Sequence, residues 1–229
     1  MAERAALTYR TFLILSIRIH LTALIASATL FTSTAQVVTV PASATIRTAK
    51  AEVTALAIAP KGDNLLVGHD KGAELYDLTS GKRIHAFPYS EDGGTAVYYV
   101  AFNENGEYVV LIGHSGKRVV YDVKSGKQET ILSKHRWVPD PRAVKAMGFE
   151  MSNSTFDRFY QQAEVRVGDH TGRSVKNGTV EFSGADGKVV QRIEAPENKD
   201  QHHLAPLLVW GGSLYVGQDD GRVLVYILP

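Results

Sequence analysis

The chain contains no cysteine, and this absence removes several classes of function at once. Without thiols it has no disulfide framework, no cysteine nucleophile and no thiolate ligands for zinc. It also lacks the Gly-x-x-x-x-Gly-Lys-Ser/Thr phosphate loop, the Gly-x-Ser-x-Gly elbow and the His-Glu-x-x-His pair. These are common motifs of nucleotide-dependent, hydrolytic and zinc-dependent enzymes. The sequence therefore predicts neither an enzyme nor a cofactor.

An excess of charge of either sign is lacking too. The chain has 25 basic and 24 acidic residues, and it contains no run of five or more lysines or arginines. Without residues 1–35, 22 basic and 23 acidic residues remain. Proteins that bind nucleic acid or an anionic membrane surface carry concentrated positive charge. Neither ligand is predicted.

Calcium-binding motifs are present only as fragments. Asp219-Asp220-Gly221 and Glu91-Asp92-Gly93 begin like calcium loops, but they lack the alternating oxygen ligands that such a loop needs. Asp-Gly pairs are ordinary residues of tight hairpins. We interpret both segments as turns, and no metal site is predicted.

The first 35 residues have the pattern of a targeting segment. Arg4 and Arg10 precede an apolar stretch, and its uninterrupted part, residues 21–31, is about as long as a signal-peptide core. Small residues at 33–35 fit a cleavage site that would leave Gln36 first. The pattern predicts export to the periplasm or the cell exterior, with which the absence of cysteine is compatible. A mitochondrial presequence and an uncleaved membrane anchor are the alternatives.

What the sequence does contain is an internal repeat. Gly68-His69 and Gly113-His114 lie 45 residues apart. The first pair leads to Tyr-Asp-Leu-Thr-Ser-Gly-Lys at 76–82, and the second leads to Tyr-Asp-Val-Lys-Ser-Gly-Lys at 121–127. A period of this size, with short apolar runs and turn residues inside it, is typical of a β-propeller blade.

Four such units can be aligned along the chain. Apolar runs separated by Gly, Asn, Asp and Pro predict antiparallel strands joined by hairpins. The first strands of the units are predicted to begin at Val53, Val97, Val144 and Leu204. One aromatic residue ends the third strand of each unit: Tyr76, Tyr121, Phe182 and Tyr226.

The units resemble the WD40 family. Residues 70–77 and 220–226 are close to the family pattern Gly-x-x-Asp-Gly-x-Val-x-Leu-Trp-Asp, and the resemblance covers 53–133 and 204–228 well and 143–195 loosely. Tyr or Phe stands where the family has Trp, and no Gly-His pair precedes the first strands. The family's Asp–His–Ser–Trp hydrogen-bond tetrad is therefore not expected here. The resemblance implies an all-β propeller of four-stranded antiparallel blades that acts as a protein-interaction scaffold.

The closure of the propeller depends on both ends of the chain. The fourth unit has only three strands before residue 229, and residues 37–48 are predicted to supply its missing outer strand. Pairing the terminal strands in one blade hides an open sheet edge. Two arrangements stay open for the domain 36–229: a closed four-bladed ring, or an open arc completed by a second chain, for example in a homodimer.

The repeat register predicts a partner-binding rim. Loops between second and third strands share a face with the connections between blades, and this places six of the eight histidines on one rim, with His170 among them. The connection 133–142 adds a Trp and an Arg, which are typical anchors when a rigid scaffold holds their loop. Residues 169–176 form a second candidate contact loop. The predicted partner-binding residues are Trp137, Arg136, His135, His69, His114, His202 and His203.

Structural interpretations of the same residues stay open. His69 and His114 can bond a neighbouring turn, and Trp137 can pack between blades. Several imidazoles on one rim could hold zinc or copper, although their spacing matches no motif. Ala55 and Ala57 are predicted to face the axis of a narrow ring, which leaves little room for a substrate.

The sequence as a whole predicts a non-enzymatic, exported, WD40-like propeller that binds a protein partner through one loop-rich face. One alternative is a metal-binding or enzymatic propeller that uses the histidine rim. Another is a structural subunit of a membrane-associated assembly, held there by an uncleaved leader.

Overall fold

The structure of the protein is a computed structural model. It describes residues 36–37, 41–48, 51–90, 94–113, 117–130, 162–194 and 204–228. Within these ranges the chain forms sixteen β-strands and one 3-10 turn, and none of the described helical residues forms a span that could cross a membrane. The predicted leader, residues 1–35, lies outside the described residues.

The strands follow one another along the chain with short hairpins between them. They are β1 (Gln36–Val37), β2 (Ala44–Arg47), β3 (Val53–Ile58), β4 (Asn64–His69), β5 (Gly72–Asp77), β6 (Arg83–Phe87), β7 (Val97–Phe102), β8 (Tyr108–Gly113), β9 (Arg118–Asp122), β10 (Glu164–Val167), β11 (His170–Ser174), β12 (Val180–Ser183), β13 (Val189–Ile193), β14 (Leu207–Trp210), β15 (Ser213–Gly217) and β16 (Arg222–Ile227). The 3-10 turn is Lys176–Gly178.

These strands build four successive sheets. Sheet I has the strand order β3-β4-β5-β6, and sheet II has β7-β8-β9. Sheet III has β10-β11-β12-β13 with β1 at its outer edge, and sheet IV has β14-β15-β16 with β2 at its outer edge. All pairings are antiparallel except that of β1 with β13. The predicted all-β arrangement of antiparallel meanders is confirmed.

Neighbouring sheets pack face to face because their strands are apolar on both sides. In β5, Leu75 lies in the core between sheets I and II, and Tyr76 points to the opposite face, into the core between sheets IV and I. A third core, around Leu207 and Phe182, joins sheets III and IV. This two-sided burial explains why the strands of sheet I are almost continuously apolar and do not alternate.

The expected closure of the fourth unit is confirmed. β2 pairs with β16 in the register Arg47 with Arg222 to Ala44 with Val225. The sequence did not indicate the second contact of the same segment, in which β1 runs parallel to β13 of sheet III. The amino-terminal segment therefore covers the outer edges of two sheets, which removes two rows of free backbone groups.

The third unit departs from the prediction. Its first strand is β10, which begins at Glu164, whereas the predicted start, Val144, lies outside the described residues. β10 has the sequence Glu-Val-Arg-Val, which alternates polar and apolar residues and therefore lacks the apolar run that indicates a first strand. The alternation fits a strand that is only half-buried. The predicted contact loop at 169–176 is mostly β11, followed by the start of the 3-10 turn.

The predicted equivalence of the four aromatic residues is confirmed by the strand register. Each lies in the third strand of its sheet opposite a residue of the second strand. The pairs are Tyr76 with Leu65, Tyr121 with Val109, Phe182 with Gly172, and Tyr226 with Leu214. All four side chains are buried.

Candidate functional site

Of the seven predicted partner-binding residues, only His69 falls within the described residues. The other members stay predictions, because the segments that contain them are not described. They are His114, His135, Arg136, Trp137, His202 and His203.

His69 is a structural residue. It ends β4, its side chain is 4% exposed, and Nδ1 accepts a hydrogen bond from the backbone N–H of Lys71 at 3.1 Å. Burial lowers the pKa of His69 below its usual value, although Glu74 and Asp70 act in the opposite direction. A buried, neutral imidazole that holds its own turn offers no surface to a partner. The structural interpretation of His69 therefore replaces the predicted binding role.

Two further histidines are placed away from the predicted rim. His170 begins β11, so it lies in the hairpin between the first and second strands of sheet III and not between the second and third. In a meander, these two kinds of hairpin lie at opposite ends of the sheet. His85 lies on the outer strand β6, as expected, and its ring packs 5.9 Å from that of Phe87. The predicted clustering of histidines on one rim is therefore weaker than the sequence indicated.

A buried carboxylate that sequence reasoning missed lies between sheets I and IV. Glu74 in β5 is 2% exposed; its Oε2 accepts a hydrogen bond from the Tyr76 hydroxyl at 2.5 Å, and its Oε1 accepts one from Arg83 Nη1 at 2.5 Å. Burial by itself would raise the pKa of Glu74, but these two hydrogen bonds and the nearby charges lower it. Burial and the adjacent carboxylate raise the pKa of Tyr76. Glu74 is therefore ionised and paired.

One signal in the sequence could have identified Glu74. It lies two residues before the aromatic position of its unit, and the corresponding residues of the other units are Val119, Val180 and Leu224. A carboxylate in a row that is otherwise apolar indicates a special local environment. The corresponding position is apolar in the other three units, so this one exception marks the junction between sheets I and IV.

Two of the aromatic residues also join neighbouring sheets through their hydroxyl groups. The Tyr76 hydroxyl lies 3.1 Å from the backbone oxygen of Arg47, the last residue of β2 in sheet IV. The Tyr121 hydroxyl donates a hydrogen bond to the backbone oxygen of Pro88, just beyond β6 of sheet I. In both places, a third-strand tyrosine binds the end of the outer strand of the preceding sheet. This contact gives a physical reason for Tyr at the position where the WD40 family has Trp.

The inner edge of sheet I is capped by a side chain. β3 is an edge strand, so some of its backbone groups point away from the sheet. The backbone N–H of Leu56 donates to Gln162 Oε1 at 2.7 Å, and Gln162 Nε2 donates to Leu56 O at 2.7 Å. The backbone oxygen of Gln162 accepts a hydrogen bond from Leu207 N at 2.7 Å. This one residue, which lies two positions before the start of β10, therefore connects the first strands of sheets I and IV.

The orientation of β3 differs from the prediction. Ala55 and Ala57 pack in the core between sheets I and II and do not face an axis, because the faces of β3 are directed at the neighbouring sheets. It is the backbone edge of β3 that points inward, and the Gln162 amide satisfies it. Little room for a substrate remains at Leu56, for a different reason from the one predicted.

Two of the four large apolar side chains that are exposed among the described residues, Trp210 and Ile227, lie at one end of sheet IV. Trp210 at the end of β14 is 42% exposed, and Ile227 at the end of β16 is 71% exposed. Both pair in register with Ser213 of β15, so their side chains lie on the same face of sheet IV. The Trp210 ring also contacts the β3–β4 hairpin at Gly62. Sequence reasoning did not single out either residue.

The remaining polar clusters are explained by turn chemistry. A surface depression is lined by Phe102 and the Asn103-Glu104-Asn105 turn. The two Asn side chains bond each other at 2.6 Å and bond the turn backbone as well. Their polar atoms are thus satisfied within the hairpin. Among the described residues, no group of three or more His, Asp or Glu side chains is placed to hold a metal ion.

Comparison with known proteins yields a likeness in fold. No protein-family model and no curated protein sequence matches the chain. Among solved structures, the WD40 repeats of RRP9 match at 15% identity with a TM-score of 0.36, over 81% of this chain and 55% of that chain. The structure of U3-55K matches at 14% identity with a TM-score of 0.36, over 82% of this chain and 56% of that chain. The chain thus spans about half the length of these two structures.

Proposed function

We propose that this protein is a non-enzymatic, exported module that binds a protein partner through one loop-rich face. The observation that carries the proposal is the closed inner edge at Leu56 and Gln162. Enzymes built on propellers place their chemistry in an axial cavity, and here a side-chain amide occupies the inner edge of β3. We therefore assign the binding function to the loops at the ends of the sheets.

Hydrogen bonds between loops support a rigid binding face. At the end of the sheets that contains the β4–β5 and β15–β16 hairpins, each hairpin is tied to a neighbouring connection. Thr48 Oγ1 donates to Gly221 O at 2.8 Å, and Thr95 Oγ1 donates to Asp70 O at 2.6 Å. The Tyr89 hydroxyl donates to Lys117 O at 2.9 Å. Loops held in this way lose little conformational entropy when they bind a partner.

The anchors of this face are the predicted ones that lie outside the described residues. Trp137 and Arg136 belong to the connection between β9 and β10, which the repeat register predicts on the same face as the hairpins between second and third strands. Trp and Arg are among the residue types that contribute most to binding energy at protein interfaces. Here the two are adjacent in sequence. His135, His202 and His203 would surround them as polar contacts.

The chain offers a matched test of these anchors, because it contains two tryptophans. Trp137→Ala and Trp210→Ala variants are compared in capture of partners from the native cells, followed by quantification of the captured proteins. We expect Trp137→Ala to reduce capture of the principal partner about tenfold or more, and Trp210→Ala to leave it unchanged. Equal capture by wild type and Trp137→Ala would contradict this assignment of the face.

Two measurements on the purified protein test the rest of the proposal. Mass spectrometry of the amino terminus is expected to show a chain that begins at Gln36; an intact residue 1–35 segment would favour the anchored subunit instead. Metal analysis of a preparation without a histidine tag is expected to show no stoichiometric metal. Zinc or copper near one equivalent would instead favour the histidine-rim alternative.

A further inference from the structure

We propose a second interaction surface at the opposite end of the sheets, where Trp210 and Ile227 receive one apolar side chain from a short extended segment of another protein. This surface is independent of the proposed partner-binding face. It is defined by Trp210, Ser213 and Ile227 of sheet IV and by the β3–β4 hairpin at Gly62 of sheet I. We call it the Trp210 surface.

The register of sheet IV sets the two apolar side chains side by side. Ser213 pairs with Trp210 on one side and with Ile227 on the other, so the two flank a small polar residue. Adjacent strands are about 4.8 Å apart, which places the Trp210 and Ile227 backbones roughly 10 Å from each other. We infer that the partner's side chain inserts over Ser213, between Trp210 and Ile227.

The orientation of the surface follows from the residues beneath it. Leu208 and Val225, two positions before Trp210 and Ile227, are in the core between sheets IV and I. Side chains two positions apart on a strand point to the same face. Trp210 and Ile227 therefore continue that core beyond the end of its packing partner, where it becomes accessible.

Gly62 fixes the tryptophan in this position. A Cβ atom at Gly62 would lie 2.7 Å from Trp210 Nε1, so the ring rests on bare backbone. Gly62 also has a φ of 73°, which favours glycine. An exposed tryptophan held by a neighbouring sheet is pre-organised, and it pays little rotamer entropy on binding.

The size and charge of the surface decide its occupant. At 42% and 71% exposure, the two side chains present roughly 200–300 Å² of apolar surface. A stable dimer buries about 800 Å² on each partner. The apolar area of the Trp210 surface is smaller than this, so it is too small to hold a second copy of this chain. Lys61 and Asp63 border the surface with opposite charges, so charge selects no partner. A short segment with one apolar or aromatic side chain fits both observations.

The test is selection of random dodecapeptides displayed on phage against the full chain, with synthetic copies of the enriched peptides measured by fluorescence anisotropy. We expect the enriched peptides to share an apolar or aromatic residue. Ile227→Lys and Trp210→Ala should each weaken their binding about tenfold or more. The matched control is Ile84→Lys, because Ile84 is 45% exposed on β6, away from the Trp210 surface.

Three outcomes would overturn the proposal. Peptides that bind wild type and Ile227→Lys equally would place binding elsewhere, and loss of binding only in Trp137→Ala would support the proposed partner-binding face instead. Self-association of wild type that Ile227→Lys abolishes, seen by analytical ultracentrifugation, would make a second copy the occupant. Unchanged thermal unfolding of Ile227→Lys would show that lost binding is not lost folding.

Discussion

Sheets I and III contain the same ion pair in two different environments. Arg83 and Glu74 in sheet I, and Arg192 and Glu181 in sheet III, each join the third and fourth strands at 2.5 Å. The Glu74 side chain is 3% exposed, whereas that of Glu181 is 24% exposed. Sheet I packs on both faces, against sheets II and IV, so its carboxylate is sealed between sheets. The two ion pairs have the same N–O distance, but breaking the one in sheet I should cost more free energy. The cost depends on burial and not on distance.

The third-strand aromatic residues also differ between sheets I and III. Tyr76 in sheet I extends its hydroxyl to Glu74 and to the outer strand of sheet IV. Phe182 occupies the equivalent place in sheet III and has no hydroxyl to make such a contact. The first sheet thus joins its neighbour through polar as well as apolar groups, and the third sheet uses packing alone at this position.

The largest expected effect contrasts the cores of the two sheets. Leu66→Ala removes a side chain with 0% exposure from the core between sheets I and II, and it should lower the free energy of unfolding by about 3 kcal/mol. Val167→Ala removes a half-buried side chain at the edge of the core of sheet III, and about 1 kcal/mol is expected. Urea denaturation measures both. Equal losses would contradict the difference in burial.

An intermediate effect is expected from removing the tyrosine hydroxyls. Tyr76→Phe leaves the buried Glu74 carboxylate with one donor fewer, and it should cost roughly 2 kcal/mol. Tyr121→Phe loses a bond to a neutral backbone oxygen and should cost about 1 kcal/mol. The difference between the two variants, read from urea midpoints at equal slope, isolates the contribution of the charged acceptor. A Tyr76→Phe variant as stable as wild type would show that this hydroxyl does not stabilise the fold.

The smallest effect is a pH dependence confined to one carboxylate. The pKa of Glu74 in the folded protein lies below its unfolded value of 4.5, so its ionised form stabilises the fold. This contribution is complete above the unfolded pKa and is lost as the pH falls through the folded pKa. We expect the stability difference between wild type and Glu74→Gln to be constant near neutrality and to shrink in acid. Glu74 raises the pKa of His69, so the same comparison in a His69→Gln background separates the titration of the carboxylate from that of the histidine.

The matched control for this pH profile is Glu181→Gln. The partly exposed pair with Arg192 should contribute little at any pH, because water screens it. A Glu181→Gln profile as steep as that of Glu74→Gln would contradict the role assigned to burial.

Prediction from sequence succeeded where local signals were strong. The hairpins of sheets I and II and the closing strand β2 were predicted, because their apolar runs are bounded by Gly, Asn, Asp and Pro. It failed at β10, whose alternation of polar and apolar residues is a weak signal. It also missed Gln162 and Trp210, since the importance of each comes from a residue distant in sequence.

The sequence by itself determined the all-β repeat, the third-strand aromatic residues and the strand that completes sheet IV. Each of these depends on local periodicity and on turn residues, which act over a few positions. Only the tertiary structure decided that His69 is buried, that Glu74 is paired between two sheets, that Gln162 caps the edge of β3 and that Trp210 rests on Gly62. These facts arise from contacts between sheets, where burial and unsatisfied backbone groups set the free energy and no local pattern records the partner.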